Sequence, residues 1–232
     1  MRIHGFNKTT LLDYPRHLAS TIFIGSCNMK CPFCHNSSLV LHPETVPTIA
    51  VEDVLSHLNK RKNILEGVCI TGGEPTIFPD ELIQLIKSIK LIGLKVKLDT
   101  NGSNPTLLKD LVENNLIDYI AMDIKNSREN YGLSIGIKNY NTNKVNQSVE
   151  YLLSSPLEYE FRTTIVKEHH SSKDILSIGQ WIKGANSYYL QSYKDTGDTI
   201  SPGLHSHSKD TLEAFTDLLA PFVNKVELRG ID

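Results

Sequence analysis

The chain has 232 residues, 26 acidic and 24 basic, with a formal net charge of −2. That length supports a sizeable core in one or two domains, and a near-neutral charge gives no reason to expect a nucleic-acid partner. Four cysteines are too sparse for the disulfide framework of a small secreted domain. The opening Met1-Arg2-Ile3-His4-Gly5 lacks the apolar segment and cleavage site of a signal peptide. No apolar stretch approaches the ~20 residues needed to span a bilayer. The expectation is a cytoplasmic chain with no membrane contact, in a compartment that keeps thiols reduced.

The first predicted strand, Ser20–Gly25, runs into Cys27-Asn28-Met29-Lys30-Cys31-Pro32-Phe33-Cys34-His35-Asn36. Spacing of the C-x3-C-x2-C kind offers three thiolates to one metal centre. A [4Fe–4S] cluster normally takes four Cys ligands, so three leave one iron open, and an open position is where a metal site does chemistry. A zinc knuckle with His35 as fourth ligand is the alternative at this point. His35 and Asn36 are candidate contacts to whatever the site binds. A helix is predicted over Ile49–Arg61, capped by Thr48.

The next strand, Gly67–Thr71, contains Cys69, which reads as a buried thiol. It leads into Thr71-Gly72-Gly73-Glu74-Pro75-Thr76. Paired glycines permit close backbone approach, and Glu74 offers an acceptor for an ammonium group. A helix over Pro79–Leu91 follows. The strand Leu94–Asp99 ends in Asp99-Thr100-Asn101-Gly102, and a helix is expected over Pro105–Asn114; Pro79 and Pro105 suit a first helical turn. The strand Asp118–Lys125 ends in Asp123-Ile124-Lys125. Acidic side chains at strand ends can hold a hard cation or bind hydroxyl and ammonium groups.

Beyond these come a helix over Lys144–Leu153, a strand over Glu158–Val166, a helix over Lys173–Lys183 capped by Ser172, a strand over Asn186–Ser192, a helix over Lys209–Phe222 and a strand over Lys225–Leu228. The alternation predicts βα units and a parallel sheet. Six such units fall short of a complete barrel, giving an α/β fold with a partial (β/α)6 TIM-type barrel. Within the strands, Lys95, Lys97 and Asp99 share one face, as do Glu158, Glu160, Arg162 and Thr164. A lumen lined by such groups suits a polar ligand. His205 and His207 read as part of a solvated loop.

Taken together, Gly5–Pro15, the Cys27–Asn36 loop, Gly72-Gly73-Glu74-Pro75-Thr76, Leu98–Pro105, Tyr119–Lys125 and Tyr159–Thr164 resemble the radical S-adenosylmethionine (SAM) activases of glycyl radical enzymes. Among these the sequence is most similar to activating proteins of anaerobic ribonucleoside-triphosphate reductase. The resemblance implies one radical SAM domain over residues 1–232, with a [4Fe–4S] cluster on Cys27, Cys31 and Cys34. It also implies SAM at the open iron, contacted from among Phe33, His35, Asn36, Gly72, Gly73, Glu74, Pro75, Asn101, Asp123, Ile124, Lys125 and Arg162. Asp99, Thr100 and Asp123 match positions of a monovalent cation site in pyruvate formate-lyase activases. The histidine those activases carry after the sixth barrel strand has no counterpart in Gln191-Ser192-Tyr193-Lys194.

The implied reaction is reductive cleavage of SAM to a 5′-deoxyadenosyl radical. That radical installs a glycyl radical on a partner enzyme, with a flavodoxin- or ferredoxin-type protein as electron donor. A second ferredoxin-like cluster would need about four more Cys, which Cys69 cannot supply. Three alternatives remain: an activase of the pyruvate formate-lyase type, a small radical SAM enzyme acting on a nucleotide or RNA base, and a non-catalytic electron-transfer or zinc-stabilised protein.

Overall fold

A computed structural model describes residues 1–231. It contains one sheet whose strand order in space is the order in sequence. The strands are β1 Ile3–Thr10, β2 Ala19–Ile24, β3 Gly67–Gly72, β4 Lys95–Thr100, β5 Tyr119–Asp123, β6 Glu158–Ile165, β7 Tyr188–Ser192 and β8 Val226–Arg229. The helices are α1 Ser37–Leu41, α2 Val51–Arg61, α3 Pro79–Ile92, α4 Pro105–Glu113, α5 Tyr131–Ile135, α6 Asn143–Ser154, α7 Ser172–Trp181 and α8 Lys209–Leu219. Pairing is antiparallel between β1 and β2, and parallel from β2 to β3, β3 to β4, β6 to β7 and β7 to β8. Chain-order winding with a helix between parallel neighbours is the TIM-type scheme, unlike the reversing order of a doubly wound sheet. The expected α/β class and winding are therefore the ones found.

Several details differ from the sequence reading. β1 was not expected, because Gly5 and the polar run Asn7-Lys8-Thr9 break strand alternation; its pairing with β2 carries two register shifts. Thr48 does not cap α2. Ile49 N bonds to Ile3 O at 2.8 Å, so Ile49 extends the pairing with β1 and the helix starts later, behind Ala50. The cap of α7 is Ser171 rather than Ser172. Asp174, three residues on, returns its carboxylate to Ser171 N at 3.0 Å and completes a capping box. Pro79 and Pro105 do open their helices.

The chain divides into two compact units. The first comprises Met1–Asn28 and Ser38–Ile120, the second Met29–Ser37 and residues 121–231. In the first, α2 buries Val54 and Leu58, and α3 buries Leu82, Leu85, Ile86 and Ile89. Both patterns follow from helical spacing. α3 stops at Gly93, whose φ of 94° suits a residue without a side chain. In the second, Glu160 is buried on β6 and takes both Arg229 guanidinium nitrogens, at 2.8 and 2.9 Å. That guanidinium lies 3.4 Å from the Tyr189 ring centroid. Among the described residues no helix is long and apolar enough to cross a membrane.

Candidate functional site

The first unit places Gly72, Gly73, Glu74 and Pro75 at the end of β3. Gly73 N donates to Ile24 O at 2.7 Å and Glu74 N to Ser26 O at 2.9 Å, so this turn carries the backbone leading into Cys27. A Cβ on Gly73 would meet Ser26 O at 1.9 Å, and one on Gly72 would meet Ile24 O at 2.3 Å. Both glycines are therefore required by backbone approach.

Glu74 corrects the expectation that its carboxylate awaits an ammonium group. Oε1 accepts from Thr76 N (3.0 Å), Thr76 Oγ1 (2.6 Å) and Thr100 Oγ1 (2.8 Å), and Oε2 accepts from Asn101 N (2.6 Å). Burial pushes this carboxyl above its ordinary value, and the four donors pull it back only in part. Its work is to tie the β3 exit to the β4 exit. Asn101 is similarly engaged. Its Nδ2 donates to Asn28 Oδ1 at 2.9 Å and its Oδ1 accepts from Ser103 N at 3.0 Å, while Asn28 Nδ2 donates to Ser103 Oγ at 2.8 Å. Asp99 is ion-paired with Lys97, an ammonium side chain that is only 2% exposed.

The second unit gathers Cys31, Phe33, Cys34, His35, Asn36, Asp123, Ile124, Lys125 and Arg162. The loop 29–37 is held by segments far away in sequence. Lys30 N donates to Ile135 O at 3.0 Å, and Ser201 N donates to Pro32 O at 2.9 Å. Gly136 has φ 68°, and a Cβ there would meet Lys30 O at 2.4 Å. The His35 ring stacks on Tyr193, with 5.6 Å between centroids, and its Nε2 donates to Lys194 O at 2.7 Å. Phe33 is buried with His169 edge-on, 5.7 Å between centroids.

At the β5 exit Asp123 bridges two cations: Lys125 Nζ at 2.9 Å and Arg162 Nε at 3.0 Å. Burial acts to raise the Asp123 carboxyl, but Arg162 and Lys125 outweigh it and hold the pKa at about 2. Burial acts to lower the Lys125 ammonium, and Asp123 outweighs that, raising it. Both groups are therefore charged throughout the physiological range. Burial pushes the Cys31 thiol up to about 11, with Lys125 pulling against it.

Cys27, Cys31 and Cys34 form no disulfide. Among the described residues no three His, Cys, Asp or Glu side chains converge closely enough to ligate one metal ion. A cubane cluster makes a wider demand, one thiolate for each iron held. Coordination would also stabilise the Cys31 thiolate that burial disfavours. The donor set suits an iron–sulfur cluster on these grounds.

Sequence reasoning passed over His169, His170 and Tyr193. The signal available for the histidines was an adjacent pair just past a predicted strand end. The loop bearing His205 and His207 is also less free than expected: His205 Nδ1 lies 2.8 Å from Glu168 Oε1, and His207 Nε2 donates to His170 O at 2.8 Å.

Residues 21–181 match the model of the radical SAM superfamily. The chain belongs to that superfamily. It is 28% identical to a protein of Methanocaldococcus jannaschii provisionally named a glycyl-radical enzyme activating enzyme, over 99% of this chain and 96% of that one. It is 27% identical to the pyruvate formate-lyase-activating enzyme of Clostridium pasteurianum, over 53% of this chain and 52% of the other, so it spans about half that relative's length. The crystal structure of Streptococcus suis SuiB bound to precursor peptide SuiA superposes with a TM-score of 0.71 at 16% identity, covering 90% of this chain and 48% of SuiB. That likeness shows a shared fold. This radical SAM enzyme is thus homologous to glycyl-radical enzyme activating enzymes, and its family implies a [4Fe–4S] cluster and SAM.

Proposed function

We propose that this enzyme activates a glycyl radical enzyme and that its partner is the anaerobic ribonucleoside-triphosphate reductase. The end-to-end match to the Methanocaldococcus relative carries the activase reading. The similarity at Gly5–Pro15 and the motif set that follows it supports the reductase as partner. When bound, a [4Fe–4S] cluster on Cys27, Cys31 and Cys34 supplies the electron and the open iron for cleaving SAM to a 5′-deoxyadenosyl radical.

The remaining roles belong to side chains. Asp123, held ionised by Lys125 and Arg162, offers a fixed pattern of charge to the polar groups of SAM. Phe33 offers an apolar face to the adenine, and His35, Asn36, Gly72, Gly73, Pro75 and Ile124 complete the contacts. Glu74 and Asn101 act by shaping the backbone around them. Of the candidate cation ligands, Asp99 already faces the Lys97 ammonium and the Thr100 hydroxyl donates to Glu74. Lys97 then takes the place of a monovalent cation at Asp99. The proposal includes a flavodoxin- or ferredoxin-type donor and a cytoplasmic setting.

The test is anaerobic reconstitution with iron and sulfide, reduction with SAM present, and addition of the reductase. The expected results are 5′-deoxyadenosine and a glycine-centred EPR signal on the reductase. Deoxyadenosine without that signal, combined with a signal on a pyruvate formate-lyase-type enzyme, would move the partner to that class, which the Clostridium relative favours. No deoxyadenosine would sink the activase reading.

A further inference from the structure

β5 ends at Asp123, but the chain must hold its course for two more residues to present Lys125. Ile124 N still donates to Arg162 O at 2.8 Å. The next two carbonyls are held by side chains. Thr163 Oγ1 donates to Ile124 O at 2.6 Å, and His170 Nε2 meets Lys125 O at 3.0 Å. The other ring nitrogen, His170 Nδ1, receives Val166 N–H at 3.0 Å, just past the end of β6, and lies 3.2 Å from Val166 O. A ring that accepts at Nδ1 and donates at Nε2 is a neutral imidazole of one tautomer.

His170 is itself fixed from several sides. It is fully buried, and its carbonyl receives His207 Nε2 at 2.8 Å. Its neighbour His169 has its carbonyl bonded by Asn126 Nδ2 at 2.9 Å and its Nδ1 3.2 Å from Ser134 Oγ. Both imidazoles border the Phe33 ring, with centroids 5.7 and 6.5 Å away. One ring therefore spans the β5 and β6 exits and also flanks the aromatic residue of the cysteine loop.

We propose that His170 is a positioning residue for SAM: its neutral imidazole links the Lys125 carbonyl to the Val166 amide and so fixes Lys125 and Phe33. This rests on the SAM-binding reading above. A histidine that only filled the core would be replaceable without regard to which bond is kept. A histidine that positions Lys125 would not, because the donor to Lys125 O is the bond that matters.

The experiment compares wild type, His170→Ala, His170→Gln and His170→Asn, each reconstituted with iron and sulfide and left unreduced. SAM binding is read by equilibrium dialysis, beside iron content and thermal unfolding. His170→Ala should bind SAM about tenfold more weakly with wild-type iron content. The Gln amide reaches the Nε2 position and should recover most of that loss. The Asn amide reaches only the Nδ1 position and should not. Wild-type affinity in His170→Ala, or Gln no better than Asn, overturns the proposal; if the Ala variant does not fold, the Gln–Asn contrast decides. Failure of the wild type to bind SAM would overturn it as well. Tight SAM binding by the wild type without deoxyadenosine on reduction would count against the activase reading and leave this inference standing.

Discussion

The β3–β4 exits of the first unit and the β5–β6 exits of the second use similar polar residues to different ends. At the first, Glu74 is 1% exposed and its carboxylate takes four donors from the protein itself. At the second, Asp123 has two cationic partners and its side chain remains 26% exposed. A buried carboxylate must satisfy its lone pairs internally or bear the desolvation cost. A half-exposed one can keep ionic partners and still present an edge to a ligand. Motif residues at a strand end thus divide into those that build the site and those left over to bind.

Substitutions can break that contrast, the largest effect being expected from the cysteines. Cys31→Ala should lose the cluster, measured as iron content, and lose deoxyadenosine formation altogether. Its circular dichroism should be unchanged. Next, Glu74→Ala should lower unfolding stability by about 3 kcal/mol, because it strands buried donors. Asp123→Asn should lower SAM affinity about tenfold through loss of a charge-assisted contact, with a smaller stability change measured by urea unfolding. The reverse ranking in stability would erase the difference between the two strand-end carboxylates.

Lys97→Met sharpens the same point inside the first unit. Wild-type SAM binding should be indifferent to replacing potassium with choline, since the Lys97 ammonium already faces Asp99. The variant should become potassium-dependent. A potassium requirement in the wild type would show that Lys97 does not fill that role.

A further effect is one of pH. Burial holds the His170 imidazole down at about 4, from an ordinary 6.5. Between those values the unfolded chain binds the proton and the folded chain does not. Stability contributed by the neutral ring is therefore complete above about 6.5 and falls as pH drops toward about 4, by up to about 1.4 kcal/mol per pH unit. Asp123 behaves in the same sense at lower pH: its contribution is present above 3.8 and is lost as pH falls toward about 2. Urea midpoints of wild type and His170→Gln between pH 7 and 4 should converge as the pH falls. Parallel curves would assign the acid sensitivity elsewhere.

The cysteine loop, the strand-end motifs and the βα alternation were legible from the sequence because each is local. Ligand type, spacing and periodicity lie within a few residues of one another, and a family model recognises the same features across residues 21–181. What tertiary structure decided were the partners. Glu74 finds Asn101 N across 27 positions, and His170 finds Lys125 O across 45. β1, with its weak alternation, becomes a strand because β2 pairs with it. A residue's type announces what it can bond to; whether that capacity is used up within the protein or left for a ligand depends on which distant backbone and side-chain groups the fold brings beside it.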